Sequence, residues 1–436
     1  MNAILKHQHS PSNADWHQRR LAVTPRGVAV MADFFIDHAK NAEFWDIEGR
    51  RFIDFGGGIA VLNTGHCHPR IQSAIAAQLQ RFTHTCYQVV PYAEYVALAE
   101  RIVDITPIDG PKKAAFFSTG AEAIENAIKI ARSATGRGGV IAFGGAFHGR
   151  SLFAVALTGK VQPYKVGFGP FPPEIYHLPF PCHCASLDET KRAMAHLFKS
   201  DIEPTRVAAI VFEPIQGEGG IIVPPDGYLR AAREACDKHG ALLIFDEVQT
   251  GMGRTGYRFG CNHDGVAPDL MSLAKAIGGG VMPLGVAVYT EDVYNKVFGE
   301  NPLAHTSTFG GNPLACAAGL EALAVLEEEG LAERSRILGE RMLAGFRKIQ
   351  AKFPELLADV RGRGLMIGAE FSMDEVGEVV VATLMKHGVC VAYTLNNPRV
   401  LRFEPPLTVS EEQIEKALAA FEDGLIETQA LLALLV

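Results

Sequence analysis

Two stretches decide the fold: Ala241-Leu-Leu-Ile-Phe-Asp246-Glu-Val-Gln249 and Pro268-Asp-Leu-Met-Ser-Leu-Ala-Lys275, the second followed by Ala-Ile-Gly-Gly-Gly. Each is a short apolar run that ends on a polar residue. Runs apolar on both faces are what strands of a covered parallel sheet look like. A polar residue where such a strand meets its turn stands at the usual ligand position of an α/β sheet. A lysine there can form a Schiff base with an aldehyde, and an aspartate can hold a cationic ring nitrogen. Taken singly, Lys275 reads better as a surface lysine after a strand and Asp246 as a helix cap.

The same pattern extends outward. Ala114–Phe117, Val140–Phe143, Val207–Phe212 and Leu284–Val288 are further β-type runs, alternating with helical stretches such as 121–132. In that stretch the apolar residues recur at helical spacing. Strand–helix alternation of this kind predicts a doubly wound α/β domain with a central, mostly parallel sheet. The chain ends differ. Residues 40–62 suggest short strands with a hairpin around Glu48-Gly49, residues 314–350 a long helical pattern, and residues 363–436 a mixture. The expected plan is a large domain over 66–324 and a smaller α+β domain built from 1–65 and 325–436. The Pro- and Gly-rich stretch 163–181 reads as a long ordered loop.

Composition narrows the function. At 436 residues, two domains are the natural expectation. The net charge of −8, with no long basic run, argues against nucleic acid as a partner. No apolar stretch reaches membrane-spanning length, and Met1–His9 has no signal-peptide core, so the expected compartment is the cytoplasm. The eight cysteines are expected as free thiols. Cys182-His183-Cys184, with His177 nearby, lacks a second ligand pair at zinc spacing, so no metal is expected.

Four more clusters sit at strand ends. Ser118-Thr-Gly-Ala-Glu122 opens a helix. Gly120 and Ala121 would present backbone N–H groups to an anion at the positive helix terminus, although the pattern is also a plain capping box. Gly144-Gly-Ala-Phe-His-Gly149-Arg150 resembles a P-loop but has arginine where the lysine belongs. An aromatic platform at Phe147, with Arg150 facing a carboxylate, is the better reading. Glu213-Pro-Ile-Gln-Gly-Glu218 and Asp246-Glu-Val-Gln249 supply charges and amides. With Lys275, five strand ends carry polar or glycine-rich clusters, a coincidence much rarer than any one of them.

In this order, and with Thr308-Phe-Gly-Gly-Asn-Pro313 behind Lys275, these motifs resemble the class III (ω-) aminotransferases of pyridoxal phosphate (PLP) fold type I, over residues 25–425 or so. The resemblance implies PLP as cofactor, with Lys275 as its Schiff-base lysine and Asp246 pairing with the pyridine nitrogen. It implies Val248 and Phe147 sandwiching the ring, Gln249 near the ring hydroxyl, and Gly120 and Ala121 binding the phosphate. Relatives often carry Ser or Thr at position 121, so a hydroxyl contact is lost while the amide is kept. Thr308 would reach the phosphate of a neighbouring subunit, which implies a homodimer or a tetramer.

The segments 57–66, 84–88 and 157–164 look like those of bacterial 4-aminobutyrate aminotransferases, in which the Ile59 position is apolar. The resemblance implies Arg150 on the donor's carboxylate and Arg402 on the α-carboxylate of glutamate or 2-oxoglutarate. Glu218 would cover Arg402 when the donor lacks that group, and Glu213 would be a charge near Arg150 and the ring. The implied reaction converts 4-aminobutyrate and 2-oxoglutarate to succinate semialdehyde and glutamate. The segments 278–285, 305–316 and 394–397 look more like diamine (putrescine or cadaverine) aminotransferases, and a His-Gly-Arg motif also occurs in acetylornithine enzymes. Both remain alternatives.

Overall fold

The computed structural model describes residues 11–28, 30–181, 186–299, 301 and 306–434. Near the N-terminus β1 (Ile36–Lys40), β2 (Glu43–Asp46) and β3 (Arg51–Asp54) form an antiparallel meander, with the expected turn between β2 and β3. Gly49 sits in that turn at φ 83°, where a side chain would be strained.

The central sheet follows: β4 (Lys112–Phe117), β5 (Gly139–Phe143), β6 (Ile175–Leu178), β7 (Val207–Phe212), β8 (Leu242–Asp246), β9 (Leu270–Leu273) and β10 (Gly285–Thr290). Their order is β4-β10-β9-β8-β7-β5-β6, and β10 runs antiparallel to both its neighbours while the other pairings are parallel. The fold class is therefore α/β with a mostly parallel sheet. In β7 the alternation is plain. Ala209 and Val211 pack with Ile124, Ala127, Ile128 and Ala131 of the helix Gly120–Thr135. Ile210 and Phe212 face the opposite layer, with Leu229, Ala232 and Cys236 of the helix Tyr228–His239. Burial on both faces explains why these strands read as continuous apolar runs.

Toward the C-terminus lie β11 (Leu357–Arg363), β12 (Met366–Phe371), β13 (Val389–Cys390), β14 (Ala392–Tyr393) and β15 (Val400–Phe403). A second four-stranded sheet has the order β11-β12-β15-β14, whereas β13 joins β3 in parallel and so adds a C-terminal strand to the N-terminal meander.

Two expectations need correction. The stretch 163–181 contains β6, a four-residue, half-exposed edge strand. Its brevity and flanking prolines conceal it, since an edge strand needs only one partner. The long helical pattern after 314 is two helices, Pro313–Glu328 and Leu331–Lys352, separated at Gly330, whose φ is 61°. Cys182, His183 and Cys184 lie outside the described residues, and among the described ones no helix is long and apolar enough to cross a membrane.

Candidate active site

The C-terminal ends of β4, β5, β7, β8 and β9 share one edge of the sheet, and a cavity of about 400 Å³ opens there. Gly120, Ala121, Phe147, Glu213, Asp246, Val248, Gln249 and Lys275 all line it. Ile59, Arg150, Glu218, Arg402 and Thr308 do not.

At one end of the cavity is the N-terminus of the helix Gly120–Thr135. Thr119 Oγ1 accepts from the N–H of Glu122 (3.0 Å), and Glu122 Oε2 accepts from the N–H groups of Ser118 (2.7 Å) and Thr119 (3.0 Å). The capping box is thus real, and it does not compete with anion binding. Among the described residues the N–H groups of Gly120 and Ala121 have no hydrogen-bond acceptor, and a helix terminus favours negative charge there. A Cβ at position 120 would lie 3.1 Å from Val248 Cγ1 and 3.3 Å from Ala274 Cβ, so glycine keeps this end open.

Asp246 stands at the end of β8. Its Oδ1 accepts from the N–H of Val248 (3.0 Å), and its Oδ2 is 2.8 Å from Nδ1 of the buried His148. Burial pulls His148 toward neutrality, but the hydrogen bond to Asp246 and the charges of Asp246 and Glu213 outweigh it and raise its pKa. Glu213 accepts from the N–H groups of Phe147 (2.9 Å) and Gly217 (3.0 Å), while burial pushes its pKa up to about 7.

Lys275 has φ 51°, a left-handed conformation that costs a side-chain-bearing residue about 1 kcal/mol. Strain of this kind collects at functional positions. Its Nζ donates to Gln249 Oε1 (2.8 Å), and Gln249 Nε2 donates to Glu404 Oε1 (2.6 Å). Burial holds the Lys275 amine below the usual lysine range, with the charge of Glu404 the largest opposing effect. A Cβ at position 217 would come within 2.4 Å of Gln249 Oε1 and would push the Gln249 amide from its place.

Beyond the cavity wall, Arg402 Nη1 donates to Glu218 Oε1 at 2.5 Å, both side chains buried. Glu218 Oε2 also accepts from the N–H of Leu395 (3.0 Å). Burial pushes Glu218 up, yet the Arg402 charge prevails and holds it below the usual carboxylate range. Arg150 is exposed, its guanidinium 4.8 Å from the centre of the Tyr164 ring and 6.0 Å from that of Phe147. Ile59 is 45% exposed beside a separate groove, and Thr308 is exposed at the surface.

Sequence reasoning passed over three residues of this region. His148 lies inside the quoted stretch 144–150 and Glu404 two residues beyond Arg402, but their partners are remote in sequence. Tyr164 is buried, and its hydroxyl finds no partner among the described residues.

The donor set fits pyridoxal phosphate: free N–H groups at a helix terminus for a phosphate, a hydrogen-bonded carboxylate for a ring nitrogen, and a buried lysine for an aldehyde. Comparison with known proteins agrees. The family model of aminotransferase class III matches residues 23–425. The chain is 45% identical over 428 residues to the 5-aminovalerate aminotransferase DavT of Pseudomonas putida, covering 96% of this chain and 99% of that one. It is 43% identical over 417 residues to the 4-aminobutyrate aminotransferase GabT of Escherichia coli K12, covering 93% and 97%. Among solved structures, the ornithine aminotransferase of Toxoplasma gondii ME49 superposes with a TM-score of 0.87 at 32% identity, covering 97% and 96%. A transaminase from the marine bacterium Virgibacillus gives 0.90 at 26% identity, covering 96% and 99%. On the family match and these relatives, the chain belongs to the class-III aminotransferases, a pyridoxal-phosphate-dependent family.

Proposed function

We propose that this enzyme moves the terminal amino group of an ω-amino acid, 4-aminobutyrate first among them, to 2-oxoglutarate, giving succinate semialdehyde and glutamate. The observation that carries the reading is the buried Arg402–Glu218 pair. An uncovered guanidinium in a dry site is costly, so a resident carboxylate suits a donor that brings no α-carboxylate. The oxo acid brings one and displaces Glu218. Arg150, with a planar fork of donors, receives the carboxylate at the far end of the donor. Ile59 offers an apolar surface to the chain between.

When bound, pyridoxal phosphate supplies an aldehyde for the amine and a ring that accepts electrons. Gly120 and Ala121 would hold its phosphate through their N–H groups, with Thr308 of a second subunit completing the site. Phe147 and Val248 would confine the ring, Asp246 would pair with its nitrogen and Gln249 would approach its hydroxyl. Lys275 takes the proton from the donor's amine-bearing carbon at Nζ, a task favoured by an amine whose burial keeps it easy to deprotonate. Glu213 adds a carboxyl poised near neutral pH beside Phe147.

A second reading, a diamine donor, draws support from Glu404, which adds negative charge beside Arg402. The test is the half-reaction. Enzyme loaded with cofactor is mixed with 4-aminobutyrate, 5-aminovalerate or putrescine without any oxo acid, and loss of its visible absorption band is timed. Faster loss with an ω-amino acid supports the reading, whereas faster loss with putrescine overturns it in favour of the diamine.

A further inference from the structure

Arg402 has two carboxylates beside it, and they are held differently. Glu218 meets Nη1 at 2.5 Å and is otherwise anchored through the N–H of Leu395. Glu404 is fully buried on β15's C-terminal side and is clamped by Gln249 Nε2 at 2.6 Å. Its other oxygen, Oε2, lies 3.8 Å from Arg402 Nε. Both of those atoms are buried, and neither has a hydrogen-bond partner among the described residues. The backbone pins Glu404 as well: its N–H donates to the carbonyl of Phe55, and a Cβ at Gly57 would lie 2.2 Å from its carbonyl oxygen.

We propose that Glu404 is a specificity-determining residue: a fixed second counter-charge on Arg402 that persists when Glu218 is displaced, and so weakens the hold on an incoming α-carboxylate. This rests on the reading of Arg402 as the α-carboxylate site. Two carboxylates therefore lie against the Arg402 guanidinium before any substrate enters. Glu404 lies 3.8 Å from the guanidinium that an incoming α-carboxylate must share, and in a site shielded from water the repulsion between two such anions is large enough to change affinity severalfold. The effect disfavours donors with an α-carboxylate and speeds release of product glutamate. Because Gln249 ties Glu404 to Lys275, the charge cannot swing away as that of Glu218 can.

The test uses glutarate, a dicarboxylate without amino or oxo group, titrated calorimetrically into full-length enzyme with and without cofactor. Glu404→Gln keeps the volume and can keep the bond to Gln249 but loses the charge. It is expected to lower the Kd for glutarate at least fivefold. It should also raise kcat/KM for glutamate relative to 5-aminovalerate by a similar factor. Glu404→Ala, which empties the position, should shift glutarate binding in the same direction. Glu218→Gln serves as the control on the underlying reading, since removing the displaceable cover must also tighten glutarate. Tightening by Glu218→Gln without tightening by Glu404→Gln overturns the inference and leaves the reading of Arg402 standing. Tightening by neither overturns both.

Discussion

His148 Nδ1 lies 2.8 Å from Asp246 Oδ2, across 98 residues of sequence, and its Nε2 is buried without a partner among the described residues. Asp246 is therefore held on both oxygens, by His148 and by the N–H of Val248. A carboxylate fixed in this way is already oriented when a ring nitrogen arrives, so none of the binding energy is used to order it. Replacing His148 by alanine leaves one buried oxygen of Asp246 unpaired, which costs roughly 1–3 kcal/mol. The affinity of cofactor-free His148→Ala protein for pyridoxal phosphate should fall about tenfold to a hundredfold, read from fluorescence titration. An unchanged affinity would show that Asp246 needs no such support.

Glu213 makes the stability of the cofactor-free protein depend on pH. An unfolded chain loses this proton near 4.5, whereas burial, helped by the charge of Asp246, lifts the folded value to about 7 against the opposing charge of His148. Between those values the folded state keeps a proton that the unfolded state has lost. The contribution of Glu213 to stability must then fall as pH rises from about 4.5 and level off above about 7, by up to roughly 3 kcal/mol. His148, with its raised pKa, contributes in the same direction: its share is complete below the unfolded value of 6.5 and is lost as pH rises through the folded one. Urea midpoints of Glu213→Gln should therefore rise relative to those of the parent protein between pH 5 and 8, since the variant loses only the falling share of Glu213. Parallel slopes for both proteins would mean that Glu213 stays ionised throughout.

What the sequence revealed and what it hid follow from the range of the interactions. Asp246 and Lys275 were legible because each ends an apolar run, and strand ends converge by the topology of a parallel sheet. Gly120 and Ala121 were legible because a capping box marks a helix start within five residues. His148 and Glu404 were not, although one lies inside the quoted stretch 144–150 and the other two residues beyond Arg402. The role of each depends on a side chain far away in sequence, Asp246 for one and Gln249 for the other. No periodicity encodes such a pairing. The edge strand β6 was hidden for a related reason: four residues bearing Tyr and His, paired on one side only, give too short a pattern to separate from a loop.

In the proposed function, covalent attachment of the cofactor depends on Lys275. Treating loaded enzyme with borohydride and then unfolding it should leave the cofactor's mass on the peptide that contains Lys275. In Lys275→Ala no peptide should carry that mass, and amine turnover should fall by orders of magnitude. The cavity loses only a side chain that donates one hydrogen bond, to Gln249, so the variant should still fold and bind cofactor reversibly. Mass retained on a different lysine would move the assignment there.

In the proposed function, Arg150 separates the donor classes. Its guanidinium rests against the ring of Tyr164 at 4.8 Å, exposed and without a carboxylate of its own among the described residues. A donor carboxylate would gain a bidentate, charge-assisted contact worth about 1.5–3 kcal/mol. Arg150→Ala should therefore lower kcat/KM for 4-aminobutyrate about tenfold to a hundredfold while changing that for putrescine little. Arg150→Lys, which keeps the charge but not the planar fork, should fall between. Because the residue is exposed, neither variant removes core packing, and a loss can be read as a loss of recognition. Equal losses for the two donors would show that Arg150 shapes the pocket through Tyr164 and Phe147 rather than reading a carboxylate.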